Sequence, residues 1–463
     1  MSWRVPRPGP ADPLRAFSPE EIEACVRHAK PRQRWALVAF AVDLLLLVAL
    51  ALSGPGRHLV TWAAGLAGSF VPGSAALTVA TVVVVQALAG LPFSLRSYRQ
   101  DRRAGLATQR LRGFMADWLK SRGVGLVLTV LPVAGLIAAA NWRPPGYPWV
   151  AAAVGALLVV ALALLGPVVL EPLFNRFERL RAGSLRERAL AMAADMRVPV
   201  RDVLVSDASR RTTRVNAYVS GVGRTRRVVV YDTLLARRAA GEAPTGATAV
   251  PDPPAGGEKD LAAGAGADPA DPAGTEPDSA AGTEPGGAPD PDPGAGEADP
   301  GQGREDEVTL VLAHELAHVR HRDVLFGTMA GALATAGGIL LVNWLLERDW
   351  LRDWLHVTGL GDPVVAPGLL LLGVAGGLLA APLASALSRW SEARADWVAL
   401  EVSRDPDTAV AVERRLALEN RADLRPNRLL VALFASHPPT MARIAQAWLW
   451  AARHGVEPAR HPS

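Results

Sequence analysis

Six long stretches of the chain are nearly free of charged residues, and they are the main indication of its architecture. They lie at 35–53, 75–95, 123–141, 148–170, 324–346 and 366–388. Each is close to the ~20 residues that a helix needs to cross a bilayer. Asp43 alone places a charge within them, and a polar neighbour would make that charge tolerable in the membrane. The pattern predicts a polytopic, mainly α-helical protein of the cell membrane with about six transmembrane helices.

The uneven placement of arginine predicts how these helices are oriented. Arginines crowd the N-terminal arm, the 96–122 loop and the segment after the fourth stretch, whereas the two loops between these regions carry only Arg57 and Arg143. By the positive-inside rule, both termini and residues 173–322 are predicted to be cytoplasmic. A further apolar stretch, 59–74, is short and Gly-rich, which favours a loop or an interfacial segment over a seventh span.

The stretch His314-Glu315-Leu316-Ala317-His318 carries the chemistry that the sequence indicates most strongly. Two histidines four positions apart on a helix project from one face, so both imidazoles can hold a single Zn²⁺. Glu315 would lie beside the metal, where a base can take a proton from the attacking water. The flanking residues are apolar enough to bury this helix, and the alternative is a buried helix whose histidines bind no metal.

A hydrolytic zinc site requires a third protein ligand and an open position for water. Glu392 is the best candidate, because the chain leaves the zinc helix near Asp323, crosses the membrane twice and returns near Arg389. Asp396 follows one helical turn later, where it can accept a hydrogen bond from a ligand imidazole. The alternative for Glu392 and Asp396 is a solvated charge cluster with Arg394.

Amide hydrolysis also requires hydrogen-bond donors where negative charge develops on the carbonyl oxygen. His437 and Arg443 are the candidates for this role. Pro438 and Pro439 fix the loop after His437, and Arg443 lies almost two helical turns further along the chain. The alternative is a surface loop with an ordinary solvated arginine.

Between the fourth span and the zinc helix, the sequence predicts a small α+β region. Residues 184–196 are typical of an amphipathic helix opened by a serine cap, and 202–206, 214–220 and 227–231 are typical of strands. A Gly-rich connection predicts a hairpin between the last two. Such a sheet would offer a peptide substrate an edge for pairing, or it would only support the zinc helix. The sequence leaves both open.

Residues 239–305 differ in kind from the rest of the chain, because Ala, Gly, Pro, Asp and Glu dominate them. Too little apolar surface is available there to offset the entropy lost on ordering, so the segment is predicted to be disordered. It is either a flap over the active site or a tolerated surface insertion. Cys25 is the only cysteine of the chain, which excludes an intrachain disulfide and a metal site of several thiolates.

Together these motifs resemble peptidase family M48, and most closely its type I CAAX prenyl endopeptidases. The matching motifs run in the family's order from about residue 90 to 445. They are Leu91-Pro92-Phe93-Ser94, the 172–177 segment, Asn216-Ala217-Tyr218, the 231–234 segment, the HELAH helix, Glu392 with Asp396, and Ser436-His437-Pro438 with Arg443.

The resemblance implies a role for each matching residue. It makes His314, His318 and Glu392 the ligands of one Zn²⁺ and Glu315 the base. It also implies that His437 and Arg443 contact the substrate or the oxyanion, and that Asn216, Ala217 and Tyr218 belong to a strand that pairs with the substrate.

The sequence thus predicts a small cytoplasmic α+β, zincin-like catalytic domain that is interrupted by membrane helices. The predicted parts are an N-terminal arm at 1–34, four membrane helices at 35–171, a helix and sheet at 172–238, the insertion at 239–305, the zinc helix at 306–322, a membrane hairpin at 323–390, the third-ligand helix with the His/Arg loop at 391–447, and a tail at 448–463. The predicted partners are the lipid bilayer and a peptide or membrane-protein substrate, prenylated or not, with no nucleic acid.

Two features depart from the CAAX-type pattern, and three other functions compete with it. CAAX-type members usually have seven spans, and the acidic insertion lies outside their usual pattern. A membrane sensor on a zinc-protease fold would need an extracellular ligand domain, and the outside loops are too short for one. A six-span transporter would need ionisable groups inside several spans. A general quality-control protease of the heat-shock type competes closely with CAAX processing.

Overall fold

The computed structural model describes residues 12–221, 223, 226–239 and 300–456. The described helices are α1 Pro19–Leu52, α2 Gly54–Gly65, α3 Val71–Arg103, α4 Leu111–Trp142, α5 Tyr147–Leu165, α6 Glu171–Phe174, α7 Ser184–Asp195, α8 Asp232–Ala239, α9 Pro300–Arg320, α10 Asp323–Leu346, α11 Asp349–Leu355, α12 Ala366–Ser403, α13 Pro406–Glu419, α14 Arg428–Phe434 and α15 Thr440–His454. A short π-helical turn, Gly166–Leu170, joins α5 to α6.

Six helical segments of the described residues are long and apolar enough to cross a membrane, which confirms the predicted count. They are Pro19–Leu52, Val71–Arg103, Leu111–Trp142, Tyr147–Phe174, Asp323–Leu346 and Pro363–Ser403. Inside the first of them, Asp43 Oδ1 accepts a hydrogen bond of 3.0 Å from Gln86 Nε2 on α3. A polar neighbour therefore does accompany the one charge that the sequence places within a span.

The stretch predicted as a loop or interfacial segment is partly helical, and the loop interpretation of 59–65 is wrong. Helix α2 has 12 residues and begins after Ser53, whose Oγ accepts from the amide of Gly56 at 3.1 Å. Its length of about 18 Å is well short of the hydrocarbon core, about 30 Å thick. It packs on α1 and α3 and adds no seventh crossing.

A four-stranded sheet lies beside the zinc helix in the order β1-β2-β4-β3, with β1 Phe177–Arg179, β2 Asp202–Ser206, β3 Ala217–Ser220 and β4 Arg227–Tyr231. Strands β2 and β4 are parallel, whereas β1 and β3 are antiparallel to their neighbours. The sequence missed β1 and began β3 at 214, three residues too early. It was also wrong about the cap of α7, because Gly183 occupies the N-cap position and the helix begins at Ser184.

Helix α9 is the centre of the folded region outside the spans. Its described part runs from Pro300, within the range predicted to be disordered and ahead of the predicted boundary at 306. The remainder of the predicted insertion, 240–299, lies outside the described residues. Four residues of α9 are at most 1% exposed: Leu312, Ala313, Leu316 and Ala317. Apolar clusters pack α9 against the sheet and α7 on one side and against α12, α13 and α15 on the other.

Candidate metal centre

Three side chains from two helices converge at the buried face of α9. His314 and His318 lie one helical turn apart on α9, and Glu392 lies in the C-terminal part of α12. The Nε2 atoms of the two histidines are 3.1 Å apart. His314 Nε2 lies 3.3 Å from Glu392 Oε2, and His318 Nε2 lies 3.4 Å from Glu392 Oε1.

These separations fit a divalent metal ion. Ligands placed tetrahedrally about 2.0–2.1 Å from a zinc ion are about 3.3–3.4 Å from one another, which is close to the three observed distances of 3.1, 3.3 and 3.4 Å. Glu392 Oε2 is buried without a hydrogen-bond donor among the described residues. Two nitrogen atoms and a buried carboxylate that face one point in this way are suited to a shared cation.

The second ring nitrogen of each histidine meets a carboxylate. His314 Nδ1 is 2.8 Å from Asp396 Oδ1, and His318 Nδ1 is 2.8 Å from Asp323 Oδ2. A proton on Nδ1 that points at a carboxylate leaves the Nε2 lone pair free for a metal. The position predicted for Asp396, beside an imidazole of the pair, agrees with this arrangement.

The electrostatic surroundings of His314 favour positive charge. Burial alone lowers the pKa of an imidazole, but the Asp396 and Glu392 carboxylates outweigh burial and raise the pKa of His314 to about 10. Carboxylates that favour positive charge on this imidazole also favour a cation beside it. A solvated charge cluster would not behave in this way, because the side chains of His314 and both carboxylates are each only 11% exposed.

Glu315 lies between the two histidines in sequence and has a different environment. Burial raises the pKa of its carboxyl, while the imidazoles of His314 and His318 act in the opposite direction. The backbone of Val219 on β3 also acts to lower this pKa. A carboxyl whose pKa is raised by burial is suited to take up a proton and pass it on.

His437 and Arg443 reach the centre from the chain that follows α14, but in different ways. His437 Nε2 is 3.4 Å from Glu392 Oε2, and its side chain is 62% exposed. Arg443, on α15, donates through Nε to Asp396 Oδ2 at 2.8 Å and lies 2.7 Å from Glu413 Oε1 through NH1. The alternative of a solvated arginine is therefore wrong. The guanidinium faces two carboxylates, which raise its pKa further above its ordinary value despite burial.

A cavity of about 150 Å³ adjoins the centre. Its polar wall includes His314, Glu315 and Arg443, and the lining also contains Asn216, just before β3, and Ala217, the first residue of β3. Tyr218 follows them on β3, an edge strand of the sheet that pairs only with β4 among the described strands. The residues predicted for the substrate-pairing strand thus lie close to the metal centre, at an edge of the described sheet.

Sequence reasoning missed Asp323 and Glu413. Asp323 is the first residue of α10 and looks like the charge that ends an apolar run, whereas Glu413 is followed by two arginines on an amphipathic helix and looks solvated. Both side chains are only 11–14% exposed. The distance of five residues between His318 and Asp323 was a usable signal for Asp323. Nothing local in the sequence distinguishes Glu413.

Comparison with known proteins shows the family and the fold of the chain. Residues 179–451 match the model of peptidase family M48, and residues 6–176 match the model of the CAAX prenyl protease N-terminal domain with five membrane helices. The five helices α1–α5 occupy this N-terminal range, and α2 is the one too short to cross.

Individual relatives extend this picture. The chain is 22% identical to the uncharacterized metalloprotease YhfN of Bacillus subtilis over 449 residues, which cover 94% of this chain and 88% of that protein. It is 32% identical to the CAAX prenyl protease 1 homolog of Arabidopsis thaliana over 160 residues, but this alignment covers only 34% of this chain and 37% of that one. The crystal structure of S. mikatae Ste24p has the same fold, with a TM-score of 0.67, 17% identity, and coverage of 93% of this chain and 89% of that one.

The fold and the centre define a polytopic membrane metallopeptidase with an HExxH helix and a carboxylate supplied by a returning membrane helix. The chain belongs to peptidase family M48, and it is of the CAAX protease type. The resemblance found in the sequence motifs is thereby confirmed.

Proposed function

We propose that the protein is a zinc-dependent endopeptidase that hydrolyses peptide bonds at the cytoplasmic face of the membrane. The observation that carries the proposal is the convergence of His314, His318 and Glu392, with mutual distances of 3.1–3.4 Å. Two imidazoles and one carboxylate are a ligand set typical of catalytic zinc, which keeps one position open. The proposal keeps the domain boundaries predicted from the sequence, except that the zinc helix now includes residues back to Pro300.

Each residue of the centre has a proposed part in the reaction. His314, His318 and Glu392 would hold Zn²⁺, which would supply Lewis acidity and lower the pKa of the attacking water to about 7. Glu315 accepts the proton of that water at its carboxylate and passes it to the leaving amine. His437, which is exposed at the mouth of the centre, donates to the developing oxyanion. Arg443 stabilises the centre through Asp396, because its guanidinium already donates a hydrogen bond to that carboxylate.

The substrate is proposed to bind as an added strand. An extended peptide that pairs along Asn216, Ala217 and Tyr218 would place a carbonyl near Glu315, because Asn216, Ala217 and Glu315 line the same cavity. Main-chain hydrogen bonds of this kind bind a peptide with little dependence on its sequence. The positive-inside distribution of arginine supports a cytoplasmic location for this site.

The test compares wild-type protein with Glu315→Gln, each purified in full length and with its metal content measured. Both are incubated with a farnesylated CAAX peptide and with an unmodified membrane-protein fragment, and the products are identified by mass spectrometry. Glu315→Gln should retain zinc and lose cleavage, because the amide occupies the same volume but accepts no proton. Glu178→Gln, at an exposed carboxylate on β1, is the control and should cleave like the wild type.

The two substrates separate the competing functions. Cleavage of the farnesylated peptide alone supports CAAX-type processing, and cleavage of the unmodified fragment supports general membrane-protein quality control. Wild-type cleavage by Glu315→Gln would remove Glu315 from the mechanism. A zinc-loaded wild type that cleaves neither substrate would favour a sensor built on the protease fold.

A further inference from the structure

Asp323 and Arg394 lie outside the predicted site and form a second set of polar contacts at the metal centre. Asp323 is the first residue of α10, and it follows α9 after only two residues, His321 and Arg322. Arg322 has a left-handed backbone conformation with φ of 59°, which is strained for a residue with a Cβ atom. This tight reversal turns the start of the fifth span back towards the HExxH helix.

The reversal brings Asp323 onto His318. Asp323 Oδ2 lies 2.8 Å from His318 Nδ1, and Asp323 Oδ1 accepts a hydrogen bond from Arg394 NH2 on α12. The side chains are mostly buried, at 17% exposed for His318, 14% for Asp323 and 19% for Arg394. The Arg394 guanidinium also stacks over the Trp390 ring at 4.4 Å. Both ends of the carboxylate are therefore engaged, and neither partner is free to rotate away.

We propose that Asp323, held in place by Arg394, is the positioning residue of His318 and sets the affinity of the centre for its metal. A proton on His318 Nδ1 that is donated to Asp323 leaves Nε2 unprotonated and directs it at His314 Nε2 and Glu392. The negative charge of Asp323 also makes the imidazole a stronger donor to a cation. This inference rests on the proposed assignment of His318 as a metal ligand.

The same contact couples the centre to the membrane hairpin. Asp323 opens the fifth span and Arg394 lies near the end of the sixth, two residues after Glu392. The Asp323–Arg394 ion pair thus joins the two ends of the hairpin. The sixth span supplies the ligand Glu392, and the fifth span supplies Asp323, which orients His318. A displacement of either span would therefore act on a residue that contacts His318 or lies next to Glu392. Asp323 has this influence without touching the metal.

The experiment measures metal affinity on full-length protein in detergent micelles, by zinc competition with a chromogenic chelator. Asp323→Ala should weaken zinc binding by about 10- to 100-fold, the usual effect of removing such a partner. Asp323→Asn should weaken it less, because the amide oxygen still accepts from Nδ1–H. Asp349→Asn is the matched control. It removes one carboxylate of an exposed ion pair with Arg352 on α11 and should leave the affinity unchanged.

A second readout distinguishes positioning from general loss of folding. Each variant is saturated with Co²⁺, and its visible absorption spectrum is compared with that of the wild type. A changed ligand field in Asp323→Ala at full occupancy supports the proposal, because it reports the geometry of His318. Wild-type affinity in both Asp323 variants, or a wild-type cobalt spectrum at saturation, overturns it.

His318→Ala separates this proposal from the one on which it rests. If His318→Ala binds zinc as tightly as the wild type, the metal-site assignment itself fails. If His318→Ala loses zinc while Asp323→Ala retains wild-type affinity and spectrum, only the positioning role of Asp323 fails.

Discussion

Glu413 should make the stability of the protein depend on pH, and its replacement by glutamine should remove that dependence. The carboxyl is buried on α13, 2.7 Å from Arg443 NH1. Arg443 makes two hydrogen bonds with Asp396, and Asp396 therefore receives most of the compensation that the guanidinium supplies. Burial, only partly offset by Arg443, raises the pKa of Glu413 from 4.5 to about 7.

The sign and the size follow from this shift. A carboxyl with a raised pKa in the folded state binds its proton more tightly there than in the unfolded chain. Its stabilising effect is complete below pH 4.5 and is lost as the pH rises through about 7. One pKa unit corresponds to about 1.4 kcal/mol, so the full effect is about 3 kcal/mol. Glu413→Gln lacks the titrating proton, and its stability relative to the wild type should increase over this range.

The assay is thermal unfolding of metal-free protein in detergent, followed by tryptophan fluorescence between pH 4.5 and pH 8. Metal-free protein is used because a bound cation would itself lower the carboxyl pKa. The difference in Tm between Glu413→Gln and wild type should grow with pH and level off above about 7. Glu187→Gln, on the exposed side of α7, controls for the loss of one carboxylate. A difference that stays constant with pH, or that shrinks as the pH rises, would refute the reasoning.

Three further predictions concern packing, the metal and the substrate. Gly361→Ala should destabilise the protein by about 1–3 kcal/mol, because its Cβ would lie 2.6 Å from the backbone of Asn141. Gly373→Ala, where a Cβ meets nothing within 4 Å, should not lower Tm in the same assay. Treatment with a strong chelator should abolish cleavage, and Zn²⁺ but not Mg²⁺ should restore it, because imidazole ligands suit zinc and not magnesium. His437→Ala should retain the metal and lose about 100-fold in kcat, and a variant that releases the metal instead would make His437 a ligand.

Much of the fold was predictable because the bilayer imposes strong constraints on sequence. A membrane helix needs about 20 apolar residues, so all six spans could be read directly from the chain. The 12-residue α2 was not predicted as a helix, because its Gly-rich sequence resembles a loop and its length carries no membrane signal. Strand β1, with the sequence Phe177-Glu178-Arg179, has no alternation to recognise, and its pairing with β2 supplies the missing preference.

Some residues of the metal centre can be assigned from the local sequence, whereas others depend on tertiary contacts. His314 and His318 follow from helical periodicity, and Glu392 follows from the topology that returns the chain to the same side of the membrane. Asp323 and Glu413 were not assigned, since their roles depend on which charges other helices bring near them, and only Asp323, five residues after His318, carried a local signal. Periodicity describes one helix face at a time, whereas these two residues act between elements.

The connection between α9 and α10 limits where the enzyme can cut. His318 touches Asp323 at 2.8 Å, and Asp323 is also the first residue of a membrane span. Only two residues separate α9 from α10, so the proposed zinc site is joined to this candidate span by a short connection. If the start of α10 lies at the membrane surface, as the proposed function requires, a scissile bond must reach that level, and an extended chain advances at most about 3.5 Å per residue. A bond about 30 Å above the surface would then need roughly ten unfolded residues to reach the site.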